Sequence, residues 1–120
     1  MEEQEKFYFE NLDVYVAAKH FVSSVYKVTS QFPKSEMFGL TSQVRRAAVS
    51  VVSNIAEGSS RTQKELRHFL TIARGSVFEC VSQFGIAQEL QYLQKVQYDE
   101  LYSDCIKLSK MLNGFIQKLT

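Results

Sequence analysis

The chain has 120 residues, of which 45% are apolar and 22% charged, with one proline, five glycines and two cysteines. This length is typical of one domain, and the apolar fraction excludes a disordered chain. A β protein would need turn residues about every 8–12 positions, which so few prolines and glycines do not supply. We therefore predict a single all-α domain over residues 1–120.

Three features of the sequence indicate the cellular location of the protein. No apolar run approaches the roughly 20 residues of a membrane helix, and the acidic start, Met1 to Glu5, is unlike a signal peptide. Cys80 and Cys105 each fall on an apolar helix register. We expect them to be reduced and buried rather than paired or bound to zinc. The sequence thus predicts a cytoplasmic protein with no membrane partner.

The net charge of +1 conceals an uneven distribution along the chain. Residues 1–33 sum to −2, residues 34–74 to +4 and residues 75–120 to −1. Every arginine lies in the middle segment. Since arginine pairs well with phosphate and carboxylate, an anion-binding surface is expected there.

The first two predicted helices cover about residues 13–32 and 36–57. In the first, apolar residues recur at steps of four and three from Val14 to Phe32, and Pro33 ends the pattern. In the second, apolar positions cover most of the circumference, which indicates burial on more than one side. Gly58 is predicted to terminate this helix.

The third and fourth predicted helices cover about residues 63–92 and 98–119. Thr62 and Glu65 fit a capping box, in which the hydroxyl accepts from the backbone at Glu65 and the carboxylate reaches back. Apolar residues then recur at steps of four and three from Leu66 to Ala87, and again from Leu101 to Leu119. Both patterns are typical of amphipathic helices.

The alternating steps favour near-parallel helix packing, and short connections make sequential helices antiparallel. We predict an up-down-up-down four-helix bundle. Its apolar surface exceeds what one small bundle can hide, which favours a homo-oligomer. The residues that fall off the main stripes are Tyr8, Phe9, Tyr15, Tyr26, Phe38, Val49, Phe78 and Tyr92.

A catalytic constellation is not visible in the sequence. His20 and His68 lie in different predicted helices, and no Glu-x-x-His pair, phosphate loop or Cys-x-x-Cys occurs. We expect no enzyme activity, no metal and no cofactor. The acidic Glu57 and Glu79 are expected to form partly buried ion pairs with nearby arginines. Asn54 is expected to satisfy polar groups inside the bundle and fix its register.

Four cations form the candidate nucleic-acid-binding set: Arg61, Lys64, Arg67 and Arg74. The last three, at spacings of three and seven, follow one side of the third helix, and the first turn is basic where the helix dipole favours an anion. A phosphate backbone would suit this end. The alternative is a solvated charged face. Because aromatic residues do not interleave with the cations, contacts would go to the backbone without reading sequence.

One motif runs from Phe38 to Ser50 and has Gln43-Val44-Arg45-Arg46-Ala47-Ala48 at its centre. It continues as Ser53-Asn54-Ile55-Ala56-Glu57-Gly58. A second motif runs from Phe69 to Glu79 and contains Ala73-Arg74-Gly75-Ser76. Together they resemble the signature of the 23S rRNA-intervening-sequence proteins. The likeness extends from Leu12 to Ile116. Many members have proline where this chain has Val52, so we expect a straighter second helix here.

The resemblance implies a bacterial four-helix bundle encoded within large-subunit ribosomal RNA genes. A related branch, the accessory variability protein of diversity-generating retroelements, forms a pentamer that binds nucleic acid and a reverse transcriptase. By this analogy we expect a non-catalytic homo-oligomer, a pentamer, that binds RNA or DNA weakly. The alternative is a scaffold for a partner protein such as a reverse transcriptase. The motif residues Arg45, Arg46, Asn54, Glu57 and Gly58 are expected to be structural.

Overall fold

The computed structural model describes residues 4–119, and within this range it contains helices and no strand. The prediction of an all-α four-helix bundle is confirmed. Two short 3₁₀ turns precede the first two helices, at Tyr8–Asn11 and Lys34–Glu36. The four helices are α1 (Asp13–Thr29), α2 (Leu40–Ser59), α3 (Gln63–Glu89) and α4 (Lys95–Lys118).

The helices form a square. α2 packs against α1 and α3, and α4 packs against α3 and α1, whereas the backbones of the diagonal pairs do not approach one another. Two sides of the square, α1–α2 and α3–α4, therefore lie on opposite faces of the bundle. Apolar residues at the predicted three-four steps fill the centre, where the rings of Phe21 and Phe84 meet edge to face at 6.2 Å.

The start of α2 differs from the sequence-based expectation of about residue 36. Residues 34–36 form a 3₁₀ turn instead, and Gly39 has φ −115° and ψ −114°, outside the helical region. The Glu36 carboxylate accepts from the backbone N–H of Leu40 at 3.1 Å. A side chain thus caps the helix where no backbone carbonyl is available.

The other helix ends lie within three residues of the predicted ones. α1 ends at Thr29, three residues before the expected end at 32. α3 ends at Glu89 because Gln91 takes φ 64°, in the left-handed region. α4 begins three residues early, at Lys95, because the side-chain Oε1 of Gln97 accepts from the backbone N–H of Gln94 at 3.1 Å and caps the first turn.

Cys80 and Cys105 are free thiols buried in the core, in agreement with the sequence-based expectation. Burial raises the pKa of Cys80 to about 12 and raises the pKa of Cys105 as well. The reactive thiolate is therefore scarce in the folded chain at neutral pH.

We expect iodoacetamide to label both cysteines only as fast as the chain unfolds. Labelling at pH 8, followed by mass spectrometry, should be slow in buffer and complete within minutes in urea. The raised pKa also means that stability falls above about pH 8.5, where unfolded thiols ionise and folded ones stay protonated. Rapid native labelling of either cysteine would contradict this packing.

No helix within residues 4–119 is both long and apolar enough to cross a membrane.

Candidate nucleic-acid interface

The turn between α2 and α3 positions the candidate basic surface. Thr62 caps α3, because its hydroxyl oxygen accepts from the backbone N–H of Glu65 at 3.3 Å. The same hydroxyl donates to the Glu65 carboxylate at 2.9 Å and thereby lowers the pKa of that carboxyl group. The cap fixes where the first turn of α3 begins.

Arg61 is engaged within its own chain. Its guanidinium contacts Glu57 at 2.9 Å and Glu65 at 3.4 Å, and it lies 5.1 Å above the Phe69 ring centroid. The hydrogen bond to Glu57 is the main cause that raises the pKa of Arg61. The pairing of Glu57 is thus exposed rather than partly buried as expected. A phosphate at Arg61 would compete with two carboxylates.

Lys64 and Arg67 differ from Arg61 in having no partner. Both side chains are exposed, and neither makes an ion pair or hydrogen bond with any residue between 4 and 119. They lie one turn apart near the start of α3, where their charges oppose the helix dipole. These two cations remain available to an external anion.

Arg74 lies two turns beyond Arg67 and crosses to the neighbouring helix. Its Nη1 donates to Oδ1 of Asn113 on α4 at 2.7 Å, and the side chain is half-buried. Lys110 precedes Asn113 by one helical turn, so it lies on the same side of α4. Sequence analysis missed Lys110, because its link to the α3 cations depends on how α3 and α4 pair.

An apolar groove of about 390 Å³ lies between α3 and α4, on the side of the bundle where Arg74 contacts Asn113. Aromatic and aliphatic side chains line it. We call it the α3–α4 groove. Its apolar walls carry exposed rings from both helices, and Lys110 closes one end. The lining residues that project into it are Val77, Phe78, Val81, Tyr102, Cys105, Ile106, Ser109 and Lys110.

The motif arginines occupy contrasting positions on α2. Arg45 donates through Nε to the Thr29 hydroxyl at 2.9 Å, and its guanidinium lies 4.4 Å from the Tyr26 ring centroid. Arg45 thus joins α2 to α1. Arg46 is exposed and makes no ion pair with any residue in the described range 4–119, although it lines a polar groove together with Glu79.

We expect Arg45→Ala to lower the free energy of unfolding by about 1–2 kcal/mol, since it removes a cation–π contact and a hydrogen bond. Arg46→Ala is the matched control next to it and should change stability by less than about 0.5 kcal/mol. Urea unfolding of the two variants and the wild type measures both values. Equal effects would show that the contacts of Arg45 do not stabilise the bundle.

A polar network links α2 and α3 beside the core. Asn54 donates to the backbone carbonyl of Ser50 at 2.8 Å and to its hydroxyl oxygen at 2.9 Å. Ser76 on α3 donates to the same hydroxyl oxygen at 2.9 Å. The Asn54 bonds lie within α2, and the bond from Ser76 is the one that crosses between the helices. A shift of either helix by one residue would break that crossing bond, so it favours the observed register.

Gly58 lies within α2 rather than after it, since the helix continues to Ser59. It also lacks the positive φ of a terminating glycine, as does every other glycine within residues 4–119. Its predicted role as terminator is therefore wrong. A Cβ at this position would lie 2.8 Å from Cβ of Phe69 and 3.0 Å from Cδ1 of Leu66. Glycine is required here by the close approach of α3.

Within residues 4–119, no group of three or more His, Cys, Asp or Glu side chains is placed to hold a metal ion. The chain is a four-helix bundle protein that presents a basic start of α3 and an apolar groove further along the same helix. The sequence model of the 23S rRNA-intervening sequence protein family matches residues 10–114. The chain belongs to this family, which confirms the resemblance found in its sequence.

A solved structure shows the same fold. It is a protein of unknown function from the S23 ribosomal protein family of Bacteroides thetaiotaomicron VPI-5482. It aligns with a TM-score of 0.81 and 19% sequence identity over 87% of this chain and 95% of its own. No curated protein matches the chain significantly.

Proposed function

We propose that this protein is a non-catalytic, self-associating helical bundle that binds the backbone of RNA or DNA weakly and without sequence preference. The observation that carries the proposal is the exposed, unpaired state of Lys64 and Arg67 at the start of α3. Two cations held against the helix dipole gain stability when an anion binds between or beside them.

The four candidate residues and Lys110 contribute to different degrees. Lys64 and Arg67 contact phosphate directly, and Arg74 and Lys110 extend the positive potential along the α3–α4 side. Arg61 contributes least, because Glu57 and Glu65 already neutralise it. Few phosphate contacts per chain mean weak binding, which several copies in one assembly strengthen by avidity.

The number of copies is part of the proposal. By analogy with the retroelement branch of the family we propose a pentamer, in which five basic α3 starts act together on one polynucleotide. The location we propose is the bacterial cytoplasm, where RNA and DNA are accessible.

Charge reversal tests the nucleic-acid proposal. Lys64→Glu with Arg67→Glu should weaken binding of a fluorescent 30-nucleotide RNA about 10-fold or more at low salt, because two phosphate contacts become repulsive. The matched control is Lys107→Glu with Lys118→Glu, which changes the net charge equally on exposed positions of α4 outside the α3–α4 groove. Fluorescence anisotropy measures both. Equal losses would assign any binding to net charge rather than to α3.

A second candidate function is a protein-interaction scaffold, with a partner such as a reverse transcriptase and no direct nucleic-acid role. The α3–α4 groove favours it, since exposed aromatic and aliphatic side chains that form one patch are typical of protein-binding surfaces. Under this alternative, the α3 charge reversal leaves partner binding intact, and groove variants abolish it.

A further inference from the structure

The α3–α4 groove leaves a sizeable apolar area uncovered. Phe78 is 58% exposed, Tyr102 41% and Ile106 44%. Since a fully exposed aromatic side chain presents about 200 Å², these three leave on the order of 250–300 Å² in contact with solvent. Interfaces are about 60% apolar, so a contact centred on this groove buries about 800–1,000 Å² in total, which is close to the lower limit for a specific interface.

A second apolar surface lies on the opposite face of the bundle. Tyr26 on α1 is 42% exposed and Val49 on α2 is 38% exposed. Half-buried Val22 and Val52 lie about one turn from them on the same two helices. The contact between Arg45 and Tyr26 shows that these sides of α1 and α2 face each other. We call this surface the α1–α2 seam.

The two surfaces together favour one kind of assembly. A two-fold dimer formed through either surface would leave the other exposed in both copies, and two-fold symmetry covers both only with two different contacts, as in a tetramer. A head-to-tail contact, in which the seam of one copy covers the groove of the next, covers both surfaces in every copy. Repetition of such a contact forms a ring when the rotation closes.

We infer that the α3–α4 groove is occupied by the α1–α2 seam of a second copy of this chain. The inference rests on the self-association proposed above and identifies its two surfaces. Neither surface contains Lys64 or Arg67, so the contact leaves the two free cations of α3 available to nucleic acid. Lys110, at the end of the groove, can extend its amino group to solvent past the contact.

Single substitutions test the groove. Phe78→Glu places a charge in the groove and should shift the mass measured by light scattering from the oligomer to the 13.8 kDa of one chain. Ile86→Glu is the matched control, because Ile86 is an exposed aliphatic residue on α3 outside the groove. It should leave the oligomer unchanged. Circular dichroism is the check that both variants stay helical.

Mixing two variants tests the head-to-tail arrangement. Val49→Glu should also give a single chain, because it damages the seam. A mixture of Phe78→Glu and Val49→Glu retains one intact groove and one intact seam, so it should form a dimer of the two variants, at twice the mass of one chain. No dimer in the mixture would overturn the head-to-tail contact.

The mass measurements distinguish a wrong assignment of the groove from a lack of self-association. Wild-type protein with the mass of one chain at all concentrations would overturn the self-association part of the proposed function. A wild-type oligomer that survives Phe78→Glu would overturn only the assignment of the groove. Loss of binding to a partner protein with the oligomer intact would assign the groove to the scaffold alternative instead.

Discussion

Gly58→Ala is expected to lower the free energy of unfolding by about 1–2 kcal/mol, although alanine is the better helix former. The new methyl group would lie 2.8 Å from Cβ of Phe69. That atom is attached directly to the α3 backbone, so it cannot move away by a side-chain rotation. α2 and α3 must separate, and this strain exceeds the gain in helix propensity, which is about 1 kcal/mol.

Gly75→Ala is the matched control for this prediction. Gly75 lies within α3, and a Cβ there would meet no atom within 4 Å. The same substitution should therefore raise the free energy of unfolding by about 0.5–1 kcal/mol. Urea unfolding at one protein concentration gives both values. Stabilisation by both alanines would contradict the tight contact between α2 and α3.

Phe84→Ala should have the largest effect on stability, a loss of about 3–5 kcal/mol. Phe84 is 1% exposed and meets Phe21 edge to face across the centre of the bundle, so its removal leaves a cavity between α3 and α1. Phe38→Ala is the matched control, since Phe38 is 97% exposed in the turn before α2. It should change stability by less than about 0.5 kcal/mol.

A loss below about 1 kcal/mol for Phe84→Ala would contradict the assigned core. The transition should remain cooperative, and its midpoint should shift to lower urea with little change in slope, because the surface exposed on unfolding is similar.

The sequence was sufficient to predict the helices and their buried faces. The three-four steps of apolar residues in α1, α3 and α4 mark positions that are buried in the structure, except for the partly buried Val28, Phe115 and Leu119. Side-chain direction repeats with the helix, so the pattern identifies the buried face. The cap at Thr62 could also be predicted, since it depends on residues only three apart. Interactions within one helical turn are visible in the sequence.

Features that depend on contacts between distant residues were not predictable. Gly58 is a natural helix terminator in sequence, and only the approach of Phe69 shows that it allows α3 to pack closely. The start of α2 depends on the Glu36 carboxylate, which both caps Leu40 and accepts from the hydroxyl of Tyr92, 56 positions away.

The candidate site was also predictable only in part from the sequence. The concentration of cations in residues 34–74 was visible in sequence, but their availability was not. Arg61 and Arg74 are occupied by Glu57 and Asn113 respectively, whereas Lys64 and Arg67 are not. The groove further along α3 is built from α3 and α4, which are too far apart in sequence for its walls to be recognised as one surface.

The dependence of nucleic-acid affinity on salt tests the central claim most directly. For a labelled duplex DNA, the logarithm of the association constant should fall linearly with the logarithm of the salt concentration, with a slope of about −0.9 per phosphate contacted. Lys64→Ala with Arg67→Ala should make that slope shallower by about 1.8 per binding chain. An unchanged slope in this variant, or no binding by the wild type at low salt, would contradict the proposed role of α3.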